Sequence, residues 1–164
     1  MRGLVALALL LAGAAQAAEP GLTEASVRAF VARQEAAWNA KDARAWSATF
    51  APDAVFIDRA RDNQNRLVDN GRSTLPQAVA QARRFFAKSS FAETAVVDRV
   101  VLAPDGRSAQ VFAHETIRIE ALRKAAAAGP PARTLCTESE QTLVLAKGRL
   151  RSRGQTDTAV RCPH

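Results

Sequence analysis

The stretch RQEAAWNAKDARAWSATFAPDAVFID, Arg33 to Asp58, decides how the rest of the chain is read. Its first part continues a helix that Thr23 caps: Val27, Phe30, Val31, Gln34 and Trp38 recur at helical spacing as far as about Ala40. Gln34 is the one polar interruption of that stripe. Asn39-Ala40-Lys41 breaks the helix, and Asp42 is placed to cap a second, short one through Ala45, Trp46 and Phe50. Ala51-Pro52-Asp53 reads as a turn, and Ala54 to Asp58 as a brief strand.

Beyond Asp58 the pattern turns polar, so residues 59–72 read as a surface loop closed by Asn70-Gly71. Thr74-Leu75-Pro76-Gln77 has the form of a capping box with proline in the first turn, opening a helix to about Lys88. Leu75, Val79, Ala82, Phe85 and Phe86 form its apolar face. The period then changes from helical to alternating. Phe91 to Leu102, Ser108 to about Leu122, Arg133 to Leu145 and Leu150 to Arg161 are four long strands, with a loose connection over 124–132 whose paired prolines fit no sheet interior. Helices followed by an antiparallel meander predict an α+β domain.

The last hairpin can be tested by register. A two-residue turn at Lys147-Gly148 pairs residues whose numbers sum to 295, placing Leu145 against Leu150 and Leu135 against Val160. Leu135, Thr137, Ser139, Gln141, Leu143 and Leu145 then share a face with Leu150, Ser152, Gly154, Thr156, Thr158 and Val160, while Glu138 and Glu140 lie near Arg151 and Arg153 on the other. The same register sets Cys136 opposite Ala159, three residues short of Cys162, or roughly 10 Å of strand rise. That is beyond disulfide reach. A Cys136–Cys162 bond therefore calls for a bulge near the end or a tail that curls back, and the bulge is the reading adopted.

Residues 1–17 read as a cleavable secretory signal: Met1-Arg2, an apolar run from Leu4 to Ala15, and Ala15-Gln16-Ala17 at the cleavage position. The run is too short for a bilayer, which takes roughly 20 residues, so no membrane association is expected after cleavage. Residues 18–164 are left as a single domain, periplasmic or secreted, where an even pair of cysteines favours a disulfide. Removing Arg2 leaves 22 basic against 16 acidic side chains, a net +6. The arginines are scattered among acids and the chain has no tyrosine, which argues against a nucleic-acid stripe. With two histidines and no spaced ligand pair, no metal site is expected. Glycine-rich phosphate loops and G-x-S-x-G are missing too, so no cofactor is expected.

Trp38, Asn39, Ala40, Asp42, Phe50, Ala51, Asp53, Ala54 and Asp58 form a W-N-A-x-D turn followed by an F-A-x-D-A-x-x-x-D strand. In this the chain resembles SnoaL-like members of the nuclear transport factor 2-like superfamily, over essentially all of residues 18–164. The resemblance implies a cone: a curved antiparallel sheet of four long strands plus a short one, wrapped around three N-terminal helices, with an apolar pocket at the wide end. It also implies homodimerisation through the outer sheet face. Asp58 matches the general-base aspartate of the ketosteroid isomerase-like members. Their oxyanion-hole tyrosine has no counterpart, since Gln34 stands at that helix position. His114, in a strand bordering the pocket, is the second catalytic candidate. Gln34, Trp38, Trp46, Phe56 and Phe112 are the candidate ligand-binding residues. The expected function is an exported domain binding a small apolar molecule; the alternative is a cofactor-free isomerase, dehydratase or cyclase-like enzyme with Asp58 as base.

Overall fold

The computed structural model describes residues 21–121 and 132–162. The leader over 1–17 lies outside the described residues, as does the 124–132 connection apart from Ala132. Three helices, α1 (Glu24–Asn39), α2 (Ala43–Ser47) and α3 (Leu75–Lys88), pack on one face of a six-stranded sheet. Its strands are β1 (Phe50–Arg61), β2 (Leu67–Thr74), β3 (Ser89–Leu102), β4 (Ser108–Ala121), β5 (Arg133–Ala146) and β6 (Arg149–Val160). Their order across the sheet is β2-β1-β6-β5-β4-β3.

The helix starts are where the side chains require them. Thr23 and Ser26 cap α1 reciprocally, and the Asp42 carboxylate accepts from the backbone N–H groups of Arg44 and Ala45 at the head of α2. At α3 the Gln77 side chain reaches back to the Thr74 N–H at 2.9 Å. Val27, Phe30, Val31 and Gln34 are buried along α1, as the helical stripe predicts.

The sheet is larger than expected and mixed rather than purely antiparallel. The strand begun at Ala54 runs from Phe50 to Arg61, and the 59–72 loop is in fact the hairpin of β1 with β2. β2 is a mostly exposed edge strand, so it carries no apolar alternation to betray it. Asn70-Gly71 marks a bulge in this hairpin instead of a turn: Asp58 pairs with Gly71 and Arg59 with Asp69. The Ala51-Pro52-Asp53 turn is likewise a wide bulge within β1, between the pairings Phe50–Ser152 and Val55–Gly154. Proline is tolerated there because the ladder is already interrupted. β1 runs parallel to β6, joining the helical N-terminal part to the end of the meander.

The β5–β6 hairpin starts in the anticipated register, with Lys147 and Gly148 both at positive φ in the turn and Leu145 opposite Leu150. Between Leu143 and Gln141 it slips by one residue, so that Gln141 faces Gln155 and Cys136 faces Val160. The bulge lies mid-hairpin, not near its end. The last two residues of reach come from Arg161 and Cys162 beyond the strand, and Cys136 and Cys162 are disulfide-bonded with Cα atoms 5.2 Å apart. Closing a loop across a sequence separation of 26 contributes about 3.5 kcal/mol in the chain-entropy model. The bulge also undoes the expected Glu138/Glu140–Arg151/Arg153 pairing. Glu138 and Glu140 face Thr158 and Thr156, while Arg153 bonds Asp53 at 2.9 Å and Arg151 donates to the Phe50 carbonyl.

Ser152 and Gly154 make the slip possible. The Ser152 hydroxyl, fully buried, donates to the Gly154 carbonyl and accepts from its N–H. Gly154 has φ +150°, and a Cβ there would lie 2.1 Å from the Val55 carbonyl oxygen. Gly154→Ala should therefore cost at least about 2 kcal/mol. Thermal unfolding checks it; an unchanged Tm would contradict the role given to this glycine.

Candidate functional site

Two apolar clusters fill the concave side of the sheet. One joins Leu22, Val27, Phe30 and Val31 to Ala109, Val111 and Leu143; the other joins Trp46, Phe50 and Ala54 to Ala78 and Ala82 of α3. Between them lies a cavity of about 120 Å³, bounded by α1 and by β1, β3, β4, β5 and β6. A wider space of about 300 Å³ adjoins it, sharing Trp38, Trp46, Phe56, Ile117 and Asp157 as common wall.

The slip in β6 determines what the cavity contains. With a straight hairpin Gly154, Thr156 and Thr158 would point inward. After the one-residue shift the inward positions are Gln155 and Asp157, beside Gln141 and Ser139 of β5. On β4 the inward set is Ala109, Val111, Ala113, Glu115 and Ile117, and on β3 Glu93 follows the same alternation next to Ala95. Asn39 fixes Glu93 in place. Its side-chain amide donates to the Glu93 carbonyl and accepts from the Glu93 N–H, both at 2.8 Å. The asparagine of the W-N-A-x-D turn thus clamps β3 to the end of α1.

Three acidic groups, Glu93, Glu115 and Asp157, meet in this cavity, with Glu35 of α1 in the same lining. Burial is the largest influence on all three and pushes each carboxyl above its ordinary range. Glu93 is raised to about 9 and Asp157 to about 7. Mutual repulsion adds to both, from Glu115, Asp157 and Glu35 on Glu93, and from Glu115 and Asp58 on Asp157. Hydrogen bonds from Ser139 and Thr137 oppose the rise at Glu115, as one from Gln155 does at Asp157.

A chain of amides leads to these acids. Gln34 donates to Thr49 at 3.0 Å and accepts from Gln141 at 3.1 Å; Gln141 also donates to Gln155 at 2.9 Å. The Gln155 amide in turn donates to Asp157 at 2.8 Å and to Glu115 at 3.3 Å. Both donor bonds of Gln141 come from one nitrogen, and its carbonyl oxygen is buried with no partner among the described residues. The Trp38 indole N–H is in the same condition. An orphaned acceptor and an orphaned donor on two residues of one cavity lining are costly in a finished core, about 1–3 kcal/mol each.

The structure brings Gln34, Trp38, Trp46 and Phe56 together around this space. The Trp38 and Trp46 ring centroids are 5.1 Å apart, and Trp46 lies 5.8 Å from Phe56. Asp58 shares their sheet face but is exposed, at the rim of the wider space, paired across the ladder with Asp157. His114 and Phe112 are elsewhere. Both are on the convex face, where the His114 ring meets Asp98 at 2.5 Å and the Arg99 guanidinium covers Phe112 at 4.2 Å. The reason is strand parity: a face carrying Val111, Ala113 and Glu115 inward must carry Phe112 and His114 outward. Glu93, Glu115 and Asp157 were missed. For Glu93 and Glu115 the signal was present, as acids at the inward positions of otherwise apolar alternations; Asp157 needed the bulge.

No family model and no curated protein matches the sequence. Solved structures do. A ketosteroid isomerase-like protein from Erwinia carotovora atroseptica SCRI1043 superimposes with TM-score 0.63 at 14% identity, over 84% of this chain and 96% of that one. The beta subunit of the benzoate 1,2-dioxygenase from Burkholderia mallei gives 0.65 at 13%, over 86% and 93%. An NTF-2 like protein from Shewanella oneidensis MR-1 gives 0.57 at 11%, over 80% and 95%. The chain has the nuclear transport factor 2-like, cystatin-like α+β fold.

Raised carboxyl pKa values have a thermodynamic sign. Native Asp157 and Glu93 hold protons that the unfolded chain gives up at about pH 4. Their contribution to stability is full below that pH and is lost as pH rises through about 7 and about 9. Glu93→Gln, which keeps the shape without the charge, should raise the Tm at alkaline pH and flatten the decline. Thermal melts across pH check this, and a wild-type Tm that rises from acid to alkaline pH would contradict it.

Proposed function

We propose that residues 18–164 form an exported small-ligand-binding domain, released from the leader over 1–17 into a periplasmic or secreted location. The Cys136–Cys162 disulfide supports an oxidising compartment. Among the described residues no helix is long and apolar enough to cross a membrane. The observation that carries the reading is the cavity itself, whose lining includes Trp38, Trp46 and Phe56 and two residues, Trp38 and Gln141, that each bury a polar atom with no partner among the described residues. Such atoms are satisfied when a ligand supplies the missing donor and acceptor. Gln34 holds the amide chain in register, and Asp58 stands at the entrance. The apolar molecule anticipated from the sequence fits the aromatic side, so the ligand is amphiphilic: an apolar body against the rings and a polar head among the acids.

One observation favours chemistry as the second reading. Asp58 adjoins Asp157 across the ladder, and a carboxyl near 7 exchanges protons readily at neutral pH. A cofactor-free isomerase, dehydratase or cyclase-like enzyme would use this pair, with Asp58 as base and no help from His114, which lies on the opposite face.

Homodimerisation is proposed through the convex face, where Val96 is exposed opposite His114. Native mass spectrometry of the protein purified without denaturation tests both parts. A retained small molecule is expected, lost in Phe56→Trp, whose larger ring fills the cavity mouth. A protein that retains nothing, and whose tryptophan emission does not respond to a panel of small amphiphiles, contradicts ligand binding. A purely monomeric mass contradicts the dimer.

A further inference from the structure

The lining of the inner cavity has a composition unlike the rest of the chain. The sequence carries 23 lysines and arginines against 16 acids. Yet the cavity presents Glu35, Glu93, Glu115 and Asp157, and no lysine, arginine or histidine among the described residues lines it. Four acids from α1, β3, β4 and β6 are thus grouped with no basic side chain in the same lining among the described residues. Burying carboxyls this way is costly unless they are paired or kept protonated.

These acids are not arranged as ligands of a metal ion. Among the described residues no group of three or more His, Cys, Asp or Glu side chains is arranged to hold one. The rest of the lining includes the aromatic residues Trp38, Trp46 and Phe56 beside Val31, Ala95, Ile117 and the three glutamines. Aromatic faces attract organic cations, and a cation shielded from water gains most from them. Gln141 provides an independent indication. It lines the cavity, is only 5% exposed, and its side-chain oxygen is buried with no donor among the described residues. An ammonium supplies up to three N–H donors and accepts none.

We propose that this cavity binds the ammonium head of a small organic amine, the acids neutralising its charge, the Gln141 carbonyl accepting one N–H, and Trp38, Trp46 and Phe56 enclosing its carbon chain. This deepens the ligand-binding reading and rests on it. The unpartnered Trp38 N–H is met by a hydroxyl on the ligand or by a water entering with it. Binding has a proton balance: an acid protonated in the empty cavity releases its proton to solvent as the cation arrives. Asp157 ionises first. The charged groups facing it are Glu115 from β4, Glu93 from β3, Glu35 from α1, Asp58 from β1 and, across the wider space, the exposed Arg133 of β5.

Isothermal titration calorimetry with hexylammonium, hexan-1-ol, hexanoate and calcium chloride tests the proposal. Hexylammonium should bind at least about tenfold more tightly than hexan-1-ol, with hexanoate and calcium silent. Its affinity should rise with pH by up to about tenfold per unit between about pH 5 and about pH 7, with proton release visible as a dependence on buffer ionisation enthalpy. In Asp157→Asn that pH dependence should vanish and the preference for the amine over the alcohol should collapse. This variant removes a buried charge and keeps the shape, and the wild-type pH series stands without it if it misfolds. Equal binding of alcohol and amine, tighter binding of hexanoate, or affinity that falls with rising pH overturns the amine but leaves a ligand pocket. No binding by amine, alcohol or hexanoate overturns both.

Discussion

Much of this molecule depends on one backbone event, the one-residue slip of β6 between Ser152 and Gln155. Gly154 permits it by bringing its backbone against the Val55 carbonyl where no side chain would fit. Ser152 sustains it by bonding the local N–H and C=O that leave the ladder. Three consequences follow from the same slip. The Gly154 backbone lies close against Val55 of β1, Cys136 moves one residue closer to Cys162, and the inward face of β6 changes from Gly, Thr and Thr to Gln155 and Asp157. Packing, covalent closure and cavity chemistry therefore share a cause.

The cavity exists because its walls are unequal. The cluster around Val27, Phe30 and Leu143 closes the region between α1 and the sheet, and the cluster around Trp46 and Phe50 seals α2 and α3 against β1. Between them the inward positions are acids and amides, which cannot collapse into an apolar core without leaving polar atoms bare. Three glutamines link α1 to the acids of β4 and β6, while the Asn39 side chain anchors the Glu93 backbone. The result is a site whose carboxyls are raised above their ordinary range, with no basic side chain in its lining among the described residues.

Most of the fold was legible because its signals are local. Thr23, Asp42 and the Thr74–Gln77 pair cap the helices they announce, the apolar stripe of α1 is buried as spaced, and Lys147-Gly148 turns where expected. The disulfide was legible as a conflict, since the cysteines could not meet in a straight hairpin. Its resolution was anticipated as a bulge but placed too late in the strand. β2 was not legible, because an exposed edge strand has no apolar face to reveal it. Of the cavity lining, Gln34, Trp38, Trp46 and Phe56 are among the residues the sequence singles out. Phe112 and His114 were assigned to the wrong side of β4, whose own alternation places Glu115 inward instead. Asp157 depended on a register that only the folded backbone discloses.

The central claim is that this fold buries a group of acids that stay protonated well above the ordinary carboxylate range. Carbon-detected NMR titration of the side-chain carboxyls measures it directly. Asp157 should titrate near 7 and Glu93 near 9, the rise caused chiefly by burial, and both well apart from exposed carboxylates at about 4. If every Asp and Glu in the folded protein titrates below about pH 5, the carboxyls are solvated, and the account of the cavity is wrong.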